Sequence, residues 1–287
     1  MKKAHNWLIA LALLCITVLA GAQEQTGQLY VGPSTDADIR WAAAADFDGS
    51  ILFCRGLYSD DRYEDNGSGW WTDYPGADQN FLVRLSELTK VRVRFDQDHR
   101  VPFYVVVSLN DPLLMKCPIL FMEDVGVIRF TDEDVRMVRA YLLKGGFIWV
   151  DDFWGSLAWD QWEFELRRIL PSGSYPMFDI PTSHPIMHSL YNIPKIWQQP
   201  NVDIWNERRE AGGDARDQTS ERYADSSEVH FRAVENDHGR IMVVMTHNTD
   251  IADGWEEEKP ENAEYVREFS ARSYALGINI FLYALTH

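Results

Sequence analysis

The chain is poor in positive charge, in cysteine and in long apolar runs, and each shortage excludes something. Its 27 Lys and Arg face 44 Asp and Glu, a formal net charge of −17. A surface of that sign repels nucleic acid and anionic lipid, so neither is expected as a partner. Three cysteines in 287 residues include no Cys-x-x-Cys pair. Gly-x-Ser-x-Gly, Walker and His-Glu-x-x-His spacings are also missing, which removes the common nucleophile, phosphate-loop and zinc signatures. The longest apolar run, Trp7 to Leu19, is too short to span a bilayer comfortably.

That run follows Lys2-Lys3 and precedes Ala20-Gly21-Ala22, so residues 1–22 read as a secretory signal with a small-x-small cleavage point. Cleavage leaves 25 basic residues against 44 acidic ones, −19, in a periplasmic or secreted protein with no membrane span. Residues 23–48 form an N-terminal extension rich in turn formers, with Tyr30-Val31-Gly32-Pro33 as an edge segment. Residues 49–287 are expected to form one α/β domain. Two cysteines remain, Cys54 and Cys117. Cys54 closes one predicted strand and Cys117 opens another, which in parallel neighbours puts them at opposite sheet ends and predicts two free buried thiols.

What the chain has is an apolar pattern that alternates between two periods. Thr131 and Asp134 read as a helix cap and its box partner, and Val135, Val138 and Leu142 recur along one helical face. Gly145-Gly146 supplies a left-handed exit. Phe147 to Val150 is then a strand of the kind buried on both faces, ending in Asp151-Asp152. Further strands are predicted at Ile51 to Arg55, Val91 to Phe95, Phe103 to Val107, Pro118 to Met122 and Ile241 to Met245. Helices are predicted at Asp78 to Leu88, Asp160 to Ile169 and Ala263 to Leu285. Residues 206–228 carry no apolar period and read as a mobile surface insertion with no core of its own.

The segments FCRGLYSDD, WWTDYPGADQNFLVRLSELT, VVVSLNDP, LLKGGFIWVDDFWG, HPIM, GRIMVVMTHNTDIADGW and ALGINIFLYALTH together resemble the bacterial family called domain of unknown function 4159. The resemblance covers nearly all of Ile51 to His287. It implies a class I glutamine-amidotransferase-like domain, a flavodoxin-like three-layer α/β/α sandwich with a mostly parallel sheet. Amidotransferases proper carry a cysteine at a strand-to-helix elbow and a downstream His-Pro-Glu. Here the corresponding elbow is Asp151-Asp152-Phe153, and the His-Pro is followed by Ile186, closer to the trehalose-utilisation branch of that superfamily. The resemblance therefore implies the fold without the glutaminase chemistry.

In an open α/β sheet, ligands bind beyond the carboxyl ends of the strands. Four predicted strand ends bring Arg55 and Tyr58, Glu123 and Asp124, Asp151 and Asp152, and His247 with Asn248 and Asp250 to that edge. Carboxylates beside an imidazole suit a divalent metal or acid-base work on a sugar, with Asp151, Asp152 and His247 in the catalytic roles. An aspartate after a buried strand equally caps the following helix. Trp71, Trp154 and Trp255 could line a groove or fill a core. Trp70 and Trp71, adjacent in extended chain, cannot both point inward. Asp73 stands in a turn-rich approach to a helix, where such residues are commonly structural. The expectation is a domain that binds a polar ligand, a glycan or a protein partner, through Arg55, Tyr58, Trp71, Asp73, Asp124, Trp154, Asn248, Asp250 and Trp255. The alternative is a metal-assisted or acid-base carbohydrate hydrolase or lyase. No cofactor is required by the sequence, and a divalent metal enters only with that alternative.

Overall fold

A computed structural model describes residues 29, 39–64, 67–98, 100–212, 218–222 and 224–287. The signal segment and Tyr30 to Pro33 lie outside the described residues. The architecture is mixed α/β: a seven-stranded, mostly parallel sheet with helices on both faces, compatible with a three-layer α/β sandwich.

The strands are β1 (Phe53–Leu57), β2 (Ser59–Asp60), β3 (Tyr104–Ser108), β4 (Leu120–Glu123), β5 (Ile128–Arg129), β6 (Ile148–Phe153), β7 (Met177–Asp179), β8 (His230–Glu235) and β9 (Ile241–His247). The large sheet runs β3-β1-β4-β6-β9-β8-β7, and β2 pairs with β5 in a separate two-stranded sheet. The pairs from β3 to β9 are parallel, whereas β8 pairs antiparallel with both neighbours. Strands β1, β4, β6 and β9 therefore stand side by side and end at the same edge. The helices are α1 (Gly76–Leu88), α2 (Asp132–Leu143), α3 (Gly155–Ile169), α4 (Val202–Ala211), the single turn α5 (Asp253–Glu256), α6 (Ala263–Tyr265) and α7 (Ala271–Thr286), with a π turn over Val266–Ser270 joining the last two.

Alternation along each strand divides the apolar residues between two cores. Phe53, Phe121, Trp149 and Val244 face α1 and α7, meeting Phe81, Leu85, Leu276 and Ile280. Cys54, Met122, Val150 and Met245 face α2 and α3, meeting Val138, Leu142, Trp162 and Leu166. The predicted cap of α2 is present: the Thr131 hydroxyl accepts from the Asp134 amide at 3.2 Å, and the Asp134 carboxylate accepts from the Thr131 amide at 2.9 Å. Gly145 leaves α2 at φ +102°, where a side chain would be strained.

Several expectations are corrected. Cys54 and Cys117 are joined in a disulfide, with Cα atoms 5.9 Å apart. The reason is strand phase: β1 begins at Phe53, so Cys54 lies near its amino end, paired in register with Leu120, three residues beyond Cys117. Val91 to Phe95 is no strand but two isolated bridges, Ile51 to Val93 and Phe95 to Pro102. Helix α3 begins at Gly155, five residues before the predicted start at Asp160. The polar stretch 206–228 includes the last turns of α4 and two residues, Glu221 and Arg222, whose side chains are buried against the main domain. Among the described residues no helix is long and apolar enough to cross a membrane.

Candidate functional site

Beyond the carboxyl ends of β1, β4 and β6 lies a cleft of about 740 Å³. Its walls are acidic. Asp73, Asp152, Asp203, Glu207, Glu221, Asp250, Glu256 and Glu257 line it, and Arg222 is the only cation among the described lining residues. Trp71 and the 82% exposed Tyr63 supply aromatic surface at its mouth.

The backbone at this edge departs from ordinary conformations. Asp73, Asp124, Asp152, Arg222 and Asn248 all have positive φ, between 49° and 62°. Asp and Asn tolerate this region better than other side chains, yet it remains uncommon outside glycine. At Asp152 the cause is visible in the register. Val150 pairs with Met245 and Phe153 with His247, so β6 carries one residue more than β9 in this interval. The bulge turns Asp152 out of the ladder and toward the cleft.

Asp152 is held from two sides. Its Oδ1 accepts from the Trp154 indole at 2.7 Å, and its Oδ2 accepts from Arg222 Nη2 at 3.0 Å. The other Arg222 nitrogen, Nη1, donates to Asp124 Oδ1 at 2.7 Å. Asp124 Oδ2 accepts from the Gly69 amide at 2.9 Å. Burial, opposed by Arg222 and reinforced by the Asp152 charge, raises the Asp124 carboxyl to about 7. Arg222 thus clamps two strand ends together, from a segment that had read as solvent-exposed.

Of the residues proposed from sequence, Trp71, Asp73, Asp152 and Asp250 line the cleft; Arg55, Tyr58, Asp124, Asp151, Trp154, His247, Asn248 and Trp255 are not among its lining residues. Arg55 is fully buried and serves the interior. It donates to Asp78 from Nε and Nη2 at 3.0 and 2.6 Å, to the Thr72 carbonyl at 2.8 Å, and to Glu123. Burial disfavours its charge, but Asp78 and Glu123 outweigh that effect and hold the guanidinium protonated. Tyr58 donates to the Glu123 carbonyl at 2.5 Å. Trp154 is buried beneath Asp152, and Trp255 sits in the core against Phe81, Phe121 and Trp149. Asn248 accepts from the Gly155 amide at 2.7 Å and so caps α3.

The proposed trio Asp151, Asp152 and His247 does not converge. Asp151 is closed in: Oδ1 accepts from the Thr246 hydroxyl at 2.5 Å, and Oδ2 from the Ile251 and Ala252 amides at 2.8 and 3.0 Å. Burial nevertheless raises it to about 8. His247 lies on the opposite face of the sheet, stacked on Phe153 and near Trp159, with Nε2–H donating to the Gly155 carbonyl at 3.0 Å. Burial lowers it to about 4, so the ring is neutral at ordinary pH. A one-residue bulge and strand alternation separate these groups, and neither is legible without the partner strand.

Sequence reasoning missed Arg222 and Glu221, which carry no periodic signal, and did not single out Glu256 and Glu257. It weighed Glu123 as a strand-end acid without giving it a role. Asp73, named among the binding residues although its turn-rich setting also suits a structural role, faces the cleft. Burial raises Asp73, Asp250, Asp253 and Glu123 well above the usual carboxylate range, and the neighbouring acids add to the shift in every case. For Glu123 the Arg55 charge opposes it.

The sequence model of the family described as Domain of unknown function (DUF4159) matches residues 61–285, most of the chain, and the protein belongs to that family. No curated protein matches the chain.

Proposed function

We propose that this member of a family of unknown function is an exported domain that binds a neutral, hydroxyl-rich ligand, a glycan, in the acidic cleft. The observation that carries the reading is the pairing of carboxylate walls with Trp71 at one open cleft. Carboxylates accept hydrogen bonds from sugar hydroxyls, and an aromatic face stacks on the apolar side of a sugar ring. Eight acids against one guanidinium disfavour an anionic ligand. The scaffold is read as flavodoxin-like, of the glutamine-amidotransferase type, with Asp152 at the elbow where the amidotransferases keep a cysteine. Export is supported by residues 1–22 and by the Cys54–Cys117 bond, since disulfides persist in oxidising compartments.

The test is a thermal-shift screen of the mature chain against a panel of neutral oligosaccharides. A ligand of the folded state raises Tm as its concentration passes Kd. Trp71→Ala should abolish the shift for any sugar that produces one while leaving the unliganded Tm within a few degrees. A full panel without a shift, or a shift indifferent to Trp71→Ala, removes the reading.

A hydrolase or lyase is favoured by one observation. Asp250, raised by burial and by the Asp152 charge, shares the cleft wall with Asp152, and a carboxyl that holds its proton more tightly than usual beside a second carboxyl is a candidate general acid. If that reading holds, Asp152→Asn abolishes release of reducing ends from the bound glycan while leaving its binding intact.

A further inference from the structure

At the floor of the cleft, two carboxylates from different parts of the chain face one that is sunk in the sheet. Asp73, Glu123 and Asp250 each place an oxygen within 4.8 Å of the others. Acids gather for many reasons, and proximity alone decides nothing. The hydrogen bonding is more specific. Glu123 is fully buried; its Oε2 is taken by Arg55, but its Oε1 receives no hydrogen from any described residue. Asp73 Oδ2 is likewise sealed from solvent without a donor among the described residues. Asp253 Oδ1 is a third such oxygen, and Asp253 forms a second trio of the same spacing with Asp73 and Glu256.

A buried carboxylate oxygen without a donor is costly, and several in one place are rare in folded proteins. The cation beside Glu123 does not relieve its Oε1, because Arg55 is shared with Asp78 and its donors are aimed at Asp78, Glu123 Oε2 and the Thr72 carbonyl. The spacing fits a metal shell: oxygens on opposite sides of one ion stand about twice a Ca²⁺–O bond of about 2.4 Å apart. The donor set is oxygen only, with no thiolate or imidazole in either trio, which suits a hard ion and not zinc or copper.

We propose that Asp73, Glu123 and Asp250 bind a hard divalent cation of the Ca²⁺ or Mg²⁺ class at the floor of the cleft. Arg55 engages Glu123 through Oε2 and leaves Oε1 for the ion. The Asp253 amide donates to Asp250 Oδ1 at 2.8 Å and fixes the direction of that carboxylate. The ion sits where a sugar hydroxyl in the cleft would reach it. The proposal shares its place with the glycan reading but is tested with metal alone, so either can fail without the other.

Mature protein is stripped with chelator and titrated separately with Ca²⁺, Mg²⁺ and Zn²⁺, following Tm and, by calorimetry, stoichiometry. Saturating Ca²⁺ or Mg²⁺ should raise Tm by about 5 °C or more with one ion per chain. Terbium serves as a second readout: emission sensitised through tryptophan should appear in the wild type and be displaced by Ca²⁺. Asp73→Asn and Asp250→Asn should each weaken Ca²⁺ binding at least tenfold. Asp203→Asn, an exposed acid on the same cleft, should leave it within twofold. The two asparagine variants keep the side-chain volume, and Arg55 and Glu123 are untouched, so folding is checked by their unliganded Tm. No shift with any divalent ion overturns the proposal. So does a shift equally reduced by Asp203→Asn, which would mark diffuse attraction to an acidic surface.

Discussion

The two ends of the sheet treat their polar groups in opposite ways. At the amino end several groups are closed off by neighbours in the fold. The Cys54–Cys117 disulfide ties β1 to the segment before β4. The Tyr141 hydroxyl accepts from the Phe147 amide at 3.1 Å and lies within 3.1 Å of the Cys117 and Phe147 carbonyls. Gly146 passes so close beneath the Tyr141 ring that a Cβ there would meet it at 2.5 Å. At the carboxyl end acids accumulate faster than donors. Glu123 and Asp151 are in-register neighbours on β4 and β6. Asp151 has partners on both oxygens, whereas Glu123 has one oxygen on Arg55 and one on nothing described. One end is closed by its own contacts, and the other keeps buried acceptors that no described residue fills.

The contrast can be broken most severely at Arg55, the guanidinium behind the acidic edge. Arg55→Met leaves Asp78 and Glu123 buried without their cation and should cost about 3–5 kcal/mol in urea unfolding. A loss under about 1 kcal/mol would mean that those acids are protonated in the fold and do not need it. At the opposite end, Cys54→Ala with Cys117→Ala should cost about 2–4 kcal/mol, because the bridge closes a long loop in the unfolded chain. If reductant leaves the unfolding midpoint of the wild type unchanged, the amino end is not closed by that bond.

His247 sharpens the comparison by pH. Its folded value near 4 lies below the ordinary 6.5, so folding favours the neutral ring. The contribution is fully present above pH 6.5 and is lost as pH falls through 4, by about 3 kcal/mol. Stability measured between pH 7 and 4 should therefore fall more steeply in the wild type than in His247→Gln. Parallel curves would place the imidazole in contact with water. The smallest effect is expected at Thr131, whose cap is satisfied within four residues. Thr131→Ala should cost about 1 kcal/mol, with no change in any ligand or ion response.

The legible parts of the chain were those whose cause is local. The α2 cap, the Gly145 exit and the buried run of β6 follow from spacing and backbone preference among near neighbours, and the structure keeps all three. The gathering of strand ends at one edge also followed, because β1, β4, β6 and β9 each read as buried parallel strands. Which side chains meet there did not. Asp151 and His247 looked like partners in sequence, and alternation sends them to opposite faces. Arg222 looked like part of a solvated insertion, and it clamps Asp124 and Asp152. The cysteines looked separated until the phase of β1 was fixed by its pairing with β4.

By itself, then, the sequence determined the alternation of helices and strands, the two apolar faces and the excess of acid, since these depend on residue type and short-range periodicity. The tertiary structure decided which acids are satisfied and which are left facing the cleft. That choice depends on a bulge, on strand phase and on the approach of remote segments, each set by pairing across the chain. A carboxylate's chemistry is fixed by its donors, and here those donors stand up to about a hundred residues away.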